Sequence, residues 1–510
     1  MSRIFSLATL FSGVLGAALA GCTQSQPGAV GVGNATQRPN PANQQIAAEG
    51  RITAGNADRL GPAWTVSTPM NVSHMPLLRE GKLYFADWGG TVFCVDAQDG
   101  RILWQKHVQT PREMWPLRGF VATGAIGYGM VYEVSAEGDA YALDLYSGET
   151  VWHMKLTDDP NAGSLATPLY HEGKLYIALQ SVDPALAQTM SRKTGMPYQA
   201  TTRGQVMCLD ARTGNTLWKK QLVEETRAGV YVRGGFALDT ESNTLFFTTG
   251  NSYSGRAAEL SNSIVAMKAG SGDILWHFQP AAGEEHEVAA GRAETTPRTD
   301  TPAPAEDLEP AYEFGAAPTL FDAGGRRLVG AGSTDGFYYA LDRDTGQRVW
   351  ARQVGQGNIA GGIRDVAAAD NGRLYLWSNN DFNDLKPIDP ALRPLTVACL
   401  DAATGRIIWL KPNAQAAAGT SSGILVNDVY FVGSLDGTIS GYRAADGAVL
   451  WRGQVRGGSI ASSINAGGDA IFVGAGLPKI FDGLDEAKGV YAYSINRNAQ
   501  PAAAEVPAGR

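Results

Sequence analysis

Cysteine and histidine are scarce in this chain, four and six among 510 residues. No Cys-x-x-Cys-His motif occurs, so no c-type haem is attached to it. The Cys and His residues do not cluster, which argues against a zinc site. Basic charge is also short. With 42 Lys and Arg against 50 Asp and Glu, the formal charge is −8 and no basic block exists, so nucleic acid is not an expected partner. The apolar run from Ile4 to Ala20 is short for a membrane span and closes on small residues.

What the chain has in quantity is one phrase, repeated seven times in variant form: an apolar strand, Asp, a short polar stretch, Gly, and then Trp. It reads CVDAQDGRILW at 94–104, ALDLYSGETVW at 142–152, CLDARTGNTLW at 208–218 and AMKAGSGDILW at 266–276. It returns as ALDRDTGQRVW at 340–350, CLDAATGRIIW at 399–409 and GYRAADGAVLW at 441–451. Fixed-phase repetition of one hairpin points to a repeat architecture. Asp accepts backbone N–H bonds within the turn and Gly supplies its positive φ. The repeated Asp residues, present at this position in five of the seven copies, are therefore turn caps, since a catalytic carboxylate is not needed so many times. The Trp is the group each unit buries against its neighbour.

Successive Trp residues lie about forty to about seventy positions apart, room for four short strands plus loops. GVYAYSI at 489–495 is a strand with no Trp after it, and LGPAWTV at 60–66 has Trp64 with no hairpin before it. Joining them gives an eighth unit and removes an exposed sheet edge. The expected fold is all-β: an eight-bladed β-propeller of four-stranded antiparallel blades, closed by its N- and C-terminal strands. Cys94, Cys208 and Cys399 share one phase of three repeats, too far apart for disulfides, and read as buried thiols.

Leu19-Ala20-Gly21-Cys22 resembles the lipobox of bacterial lipoproteins. That resemblance implies a signal peptide over 1–21 and lipid on Cys22, and Thr23 after it implies sorting to the outer membrane, facing the periplasm. Residues 22–50 then read as a flexible tether, 51–497 as the propeller and 498–510 as a disordered tail. An acidic insertion at 281–312 reads as a solvated loop.

LFFTTGNSYSG (245–255), SNSIVAMKAGSGDILWHFQ (261–279), EFGAAPTLF (313–321) and LVGAGSTDGFYYALDRDTG (328–346) resemble the pyrroloquinoline quinone (PQQ) dehydrogenase superfamily of eight-bladed propellers. They are closest to its polyvinyl-alcohol-dehydrogenase-like branch. The same superfamily holds a non-catalytic outer-membrane assembly lipoprotein, so fold alone does not set function. For a catalytic member the resemblance implies PQQ and calcium on the axis, a stacked quinone, a cation at a quinone carbonyl and a carboxylate base.

Residue by residue, Asn251 matches the metal-binding Asn, Arg118 an arginine for a PQQ carboxylate, and Thr167 a cofactor-facing hydroxyl. Each also has an ordinary reading, as a turn, a surface charge and a strand start. Four positions depart. Asp183 is the only substitute for the metal-binding Glu. Arg233 replaces the Trp that floors the quinone, and Thr334 replaces the basic residue of blade five. The Trp-Asp pattern of the catalytic carboxylate is missing, and Glu285, Glu287 and Glu313 are the candidates to contribute one.

Two functions follow. In the first, the chain is a membrane-tethered binding or scaffolding propeller, a monomer with an eroded cofactor site and a periplasmic or outer-membrane protein as partner. In the second it is a divergent PQQ- and calcium-dependent alcohol or polyol dehydrogenase that passes electrons to a separate acceptor. A glycan-binding surface would use Trp88 and Trp115.

Overall fold

The computed structural model describes residues 40–47, 49–111, 118–159, 162–181, 202–224, 229–251, 258–280, 312–357, 361–364, 366–380, 395–413, 422–455, 457–460, 462–476, 487–496 and 503–504. They form eight four-stranded antiparallel blades in a ring. Seven blades run in chain order over residues 77–107, 125–155, 169–221, 232–278, 319–353, 368–413 and 424–454. Blade 8 combines Asn465–Gly467, Ala470–Ala475 and Gly489–Ser494 with Gly61–Ser67 as its outer strand. The expected closure by both ends of the chain is present.

Each repeated phrase forms the third and fourth strands of a blade, and its turn is built as the residue types dictate. Asp342 Oδ1 accepts from the amides of Asp344 and Thr345 and from the Thr345 hydroxyl. Asp144, Asp210 and Asp401 repeat the arrangement with Ser147, Thr213 and Thr404. These bonds hold all four carboxyls below the ordinary range, as expected of caps.

A one-residue bulge then precedes each Trp. Cys94 pairs with Trp104 but Val95 with Ile102, leaving Leu103 as the extra residue. The bulge recurs before Trp64, Trp152, Trp218, Trp276, Trp350, Trp409 and Trp451. Trp350 Nε1 donates to Ala402 O of the next blade at 3.1 Å. Its ring covers Gly405 of that blade's turn, where φ is +69 and a Cβ would lie 2.5 Å from Trp350 Cε3. Turn glycine and preceding Trp are thus one device joining neighbouring blades.

The core follows the ring. Eight hydrophobic clusters each join two consecutive blades, and the last joins blade 8 to blade 1 through Trp64, Phe472, Phe85 and Phe93. Cys94, Cys208 and Cys399 are free and fully buried in three of them, opposite Trp104, Trp218 and Trp409.

Antiparallel order sorts the connections. Links between first and second strands, and the Asp–Gly turns, lie on one face and are short. Links between second and third strands, and between blades, lie on the other; the links between blades are long, as are the second-to-third links of blades 3, 4, 6 and 8. Two boundaries from sequence need correction. Residues 40–50, read as tether, hydrogen-bond to inner strands of the ring, and Ile46–Ala47 pairs in parallel with Leu425–Val426. In the tail, Ala503–Ala504 adds a parallel strand to the outer edge of blade 8 at Thr65–Val66. Both segments answer unpaired strand edges with backbone groups, which polar or Ala-rich composition does not prevent.

Candidate functional site

The long-loop face brings together residues from three successive parts of the ring. Asn251 follows Thr244–Thr249 of blade 4, and Tyr231 precedes that blade's inner strand. Glu313 leads into blade 5, Thr334 follows its second strand, and Arg364 lies on the connection into blade 6. Glu313 is the centre. The residue is 6% exposed, and its carboxylate accepts from the Tyr231 hydroxyl and, at 3.5 Å, from Asn251 Nδ2, both on Oε2. Arg364 Nη2 reaches Oε1 at 3.4 Å.

Local structure explains the convergence. Thr334 Oγ1 accepts from Glu313 N at 2.9 Å, Thr334 N donates to Glu313 O at 2.9 Å, and Ser333 Oγ reaches the same carbonyl at 3.3 Å. The Glu313 backbone is therefore fixed before its side chain is considered. Gly250 leaves room for Tyr231, since a Cβ there would lie 2.4 Å from Tyr231 Cζ. Gly315 does the same for Arg364, whose Cγ would lie 2.6 Å away. Asn251 Oδ1 is buried and has no hydrogen-bond partner among the described residues. A buried amide oxygen left unpaired beside a carboxylate has the chemistry of a hard-cation ligand pair.

The residues named from sequence are distributed as follows. Asn251, Glu313 and Thr334 come together, with Thr334 fully buried and holding the Glu313 backbone. Thr167 lies on Ala166–Thr167, which pairs in parallel with Gly234–Gly235 on the inner edge of blade 4. Arg233 is on that same inner strand, Val232–Asp239, and its side chain lies outside the described residues. Arg118 sits on the connection between blades 1 and 2 and makes no hydrogen bond or ion pair with a described residue. Asp183, Glu285, Glu287, Trp115 and Cys22 lie outside the described residues. Trp88 is 2% exposed and donates to Ser73 Oγ, so it is a packing residue and not a glycan platform.

Sequence reasoning missed Tyr231 and Arg364. It also missed a fully buried pair between blades 1 and 2, His74 Nε2 to Glu133 Oε2 at 2.9 Å, with the Gly124 amide directed at the same nitrogen. The available signals were Gly250 beside Asn251 and Gly315 beside Glu313, small residues where a neighbouring side chain must pass.

Fold and site define an eight-bladed propeller whose long-loop face carries a buried carboxylate held by an amide, a phenol and a guanidinium. The chain belongs to the PQQ-repeat family described as outer membrane protein assembly factor BamB, whose model matches residues 45–195, 180–307, 334–476 and 393–509. Among curated proteins it is 24% identical over 449 residues to a polyvinylalcohol dehydrogenase of a Pseudomonas sp, covering 82% of this chain and 66% of that one. To the polyvinylalcohol dehydrogenase of a Sphingopyxis sp. it is 25% identical over 429 residues, 78% of this chain and 64% of that one. The chain thus spans just under two thirds of these relatives. Among solved structures, quinohemoprotein alcohol dehydrogenase from Comamonas testosteroni superposes with TM-score 0.68 at 17% identity, over 92% of this chain and 81% of that one. BamB from Moraxella catarrhalis superposes with TM-score 0.54 at 14% identity, over 85% and 99%. Such identities carry the fold, and both functional branches share it.

Proposed function

We propose that this chain is a divergent PQQ-dependent oxidoreductase acting on alcohol groups, with Glu313 as its base. The observation that carries this reading is the convergence of Asn251 and Glu313, which sequence could name only separately, in one buried cluster on the long-loop face. Likeness to the polyvinylalcohol dehydrogenases over about four fifths of the chain supports it.

Asn251 Oδ1, an orphaned acceptor, and the neighbouring Glu313 carboxylate would offer a hard cation such as calcium two oxygen donors, and such a cation would polarise the bound quinone. PQQ, when bound, supplies the acceptor for the hydride of the alcohol carbon. The rest belongs to the chain. Glu313 accepts the hydroxyl proton of the substrate, while Tyr231 and Arg364 hold the buried carboxylate in place by a hydrogen bond and an ion pair. Thr334 holds the backbone beneath it.

Calorimetric titration of the full chain with PQQ, with and without calcium, tests the proposal. Calcium-dependent binding at roughly micromolar affinity or tighter is expected, with Glu313→Gln lowering dye-linked alcohol oxidation by about a hundredfold or more. No binding heat and no thermal stabilisation under either condition would overturn it.

One observation favours a second reading. Thr334 is spent on the Glu313 backbone, and Glu313 already has a cation in Arg364. A propeller so arranged could serve as a binding or scaffolding lipoprotein for an outer-membrane or periplasmic protein, held to the membrane by lipid on Cys22. Radiolabelled palmitate incorporation that disappears in Cys22→Ala would support the anchor, and unchanged labelling would remove it.

A further inference from the structure

The first strand of every blade bonds to the second strand on one side, and its other edge faces the axis; among the described residues that edge carries a further paired strand in blade 4, Ala166–Thr167, and in blade 7, Ile46–Ala47. First strands of neighbouring blades lie against one another around that axis. Unpaired edge amides in such a place need acceptors. Residues 41–45 supply them in succession. Pro41 O accepts from Leu238 N of blade 4 at 2.6 Å, and Ala42 O from Leu320 N of blade 5 at 2.9 Å. Gln44 O accepts from Ala369 N of blade 6 at 3.2 Å, and Gln45 O from Leu425 N of blade 7 at 3.1 Å. Gly50 then bridges Gly468 of blade 8, where Arg51 N donates to Gly468 O and the Arg51 side chain pairs with Asp469 at 2.9 Å.

Ten residues thus touch the inner edges of five blades. A stretch of that length reaches about 35 Å when fully extended, so it must run close to the axis to do so. Its backbone is shaped for the task. Asn43 and Gln45 adopt φ +54 and +47, and both are buried, at 4% and 8% exposure. Asn43 Nδ2 donates to Pro318 O, Gln45 Nε2 to Asn43 Oδ1, and Gln44 Nε2 to Leu320 O. The outer side of the segment lines a cleft of about 390 Å³ with Thr240, Glu241, Asp322 and Arg327. Thr240 and Glu241 form the turn between the first two strands of blade 4, and Asp322 and Arg327 flank the corresponding turn of blade 5, which places the segment at the short-turn mouth, opposite the face that carries Glu313.

We propose that residues 40–51 are an axial plug: they seal the short-turn mouth of the channel and tie blades 4 to 8 together through the inner-strand amides. The long-loop face is then the open mouth of the ring, whichever ligand the axis takes.

Amide hydrogen exchange resolved at Leu238, Leu320, Ala369 and Leu425 tests this. In the full chain these four amides should be slow, and a chain lacking residues 1–39 should match it. A chain lacking residues 1–50 should exchange them at least tenfold faster. Should that truncation not fold, Asn43→Pro serves instead, because proline cannot adopt φ +54, and the same four amides should accelerate. Equal protection in the full chain and in Asn43→Pro, or loss of protection on removing residues 1–39 alone, would overturn the plug.

Discussion

Replacing Arg364 with Gln isolates the ion pair at the centre of the site. At 3.4 Å, a unit-charge pair in an effective dielectric near 20 gains about 5 kcal/mol of Coulomb energy before desolvation. Two features reduce the measurable loss. The Arg364 side chain is 17% exposed, so water partly replaces it, and Tyr231 and Asn251 continue to donate to Oε2. A net cost of about 2 kcal/mol is expected, because Glu313 keeps its burial and loses its cation. In a ring of this size that lowers the melting temperature by about 2–4 °C. Glu313→Gln removes the need for the cation, so the double variant should be less destabilised than the sum of the singles, by about 1–2 kcal/mol. Urea unfolding of the four proteins completes the cycle. Additivity within about 0.5 kcal/mol would refute the claim that Arg364 acts through Glu313.

Gly405→Ala should cost about 3 kcal/mol, combining left-handed backbone strain with overlap on the Trp350 ring. Trp350→Phe, which loses the bond to Ala402 but keeps most of the area, should cost about half as much by the same unfolding assay. Asp144, Asp210, Asp342 and Asp401 have folded pKa values below their unfolded ones, so their contribution is complete above the unfolded value of about 4 and fades as pH falls through the folded values. Melting followed from pH 6 downward should show this loss, and Asp342→Asn should make it shallower. Burial pushes the thiols of Cys94, Cys208 and Cys399 up to about 12. They should therefore resist iodoacetamide near pH 8 in the folded protein and all react after denaturation, as mass spectrometry would read.

The architecture was legible because its signal is local and repeated. Asp, Gly and Trp at fixed offsets specify a turn whether or not the rest of the ring is known, and seven copies leave the eighth to be supplied by the ends. The second role of the turn glycine was not legible. Gly405 meets Trp350 across 55 positions of chain, and no spacing within the phrase reports that contact. Residues 40–50 were read as tether for a related reason. Backbone carbonyls bind the inner strands there, and carbonyls are the same in every composition. Of the candidate site, Asn251, Glu313 and Thr334 were named from sequence but as separate agreements and departures. Tyr231 and Arg364 come from other connections and carried no motif of their own.

Thr334 decides between two accounts of the departures from the dehydrogenase pattern. The first is erosion, a basic side chain lost and its space left open. The second is relocation. Loops on one face of a propeller are neighbours in space though tens of residues apart in sequence, so a positive charge can move from one to another and stay within the same site. Arg364, on the connection after blade 5, stands in that relation to Glu313. Relocation makes a definite prediction for Thr334→Arg. Thr334 is fully buried and bonds the Glu313 backbone through both its amide and its hydroxyl. An arginine there must break the hydroxyl bond, displace packed neighbours and bring a second cation to a site that has one. A loss of about 3 kcal/mol is expected, with no gain in PQQ binding. If Thr334→Arg is instead tolerated within about 0.5 kcal/mol and tightens PQQ binding, a slot for the basic side chain has been kept open, and the relocation argument fails.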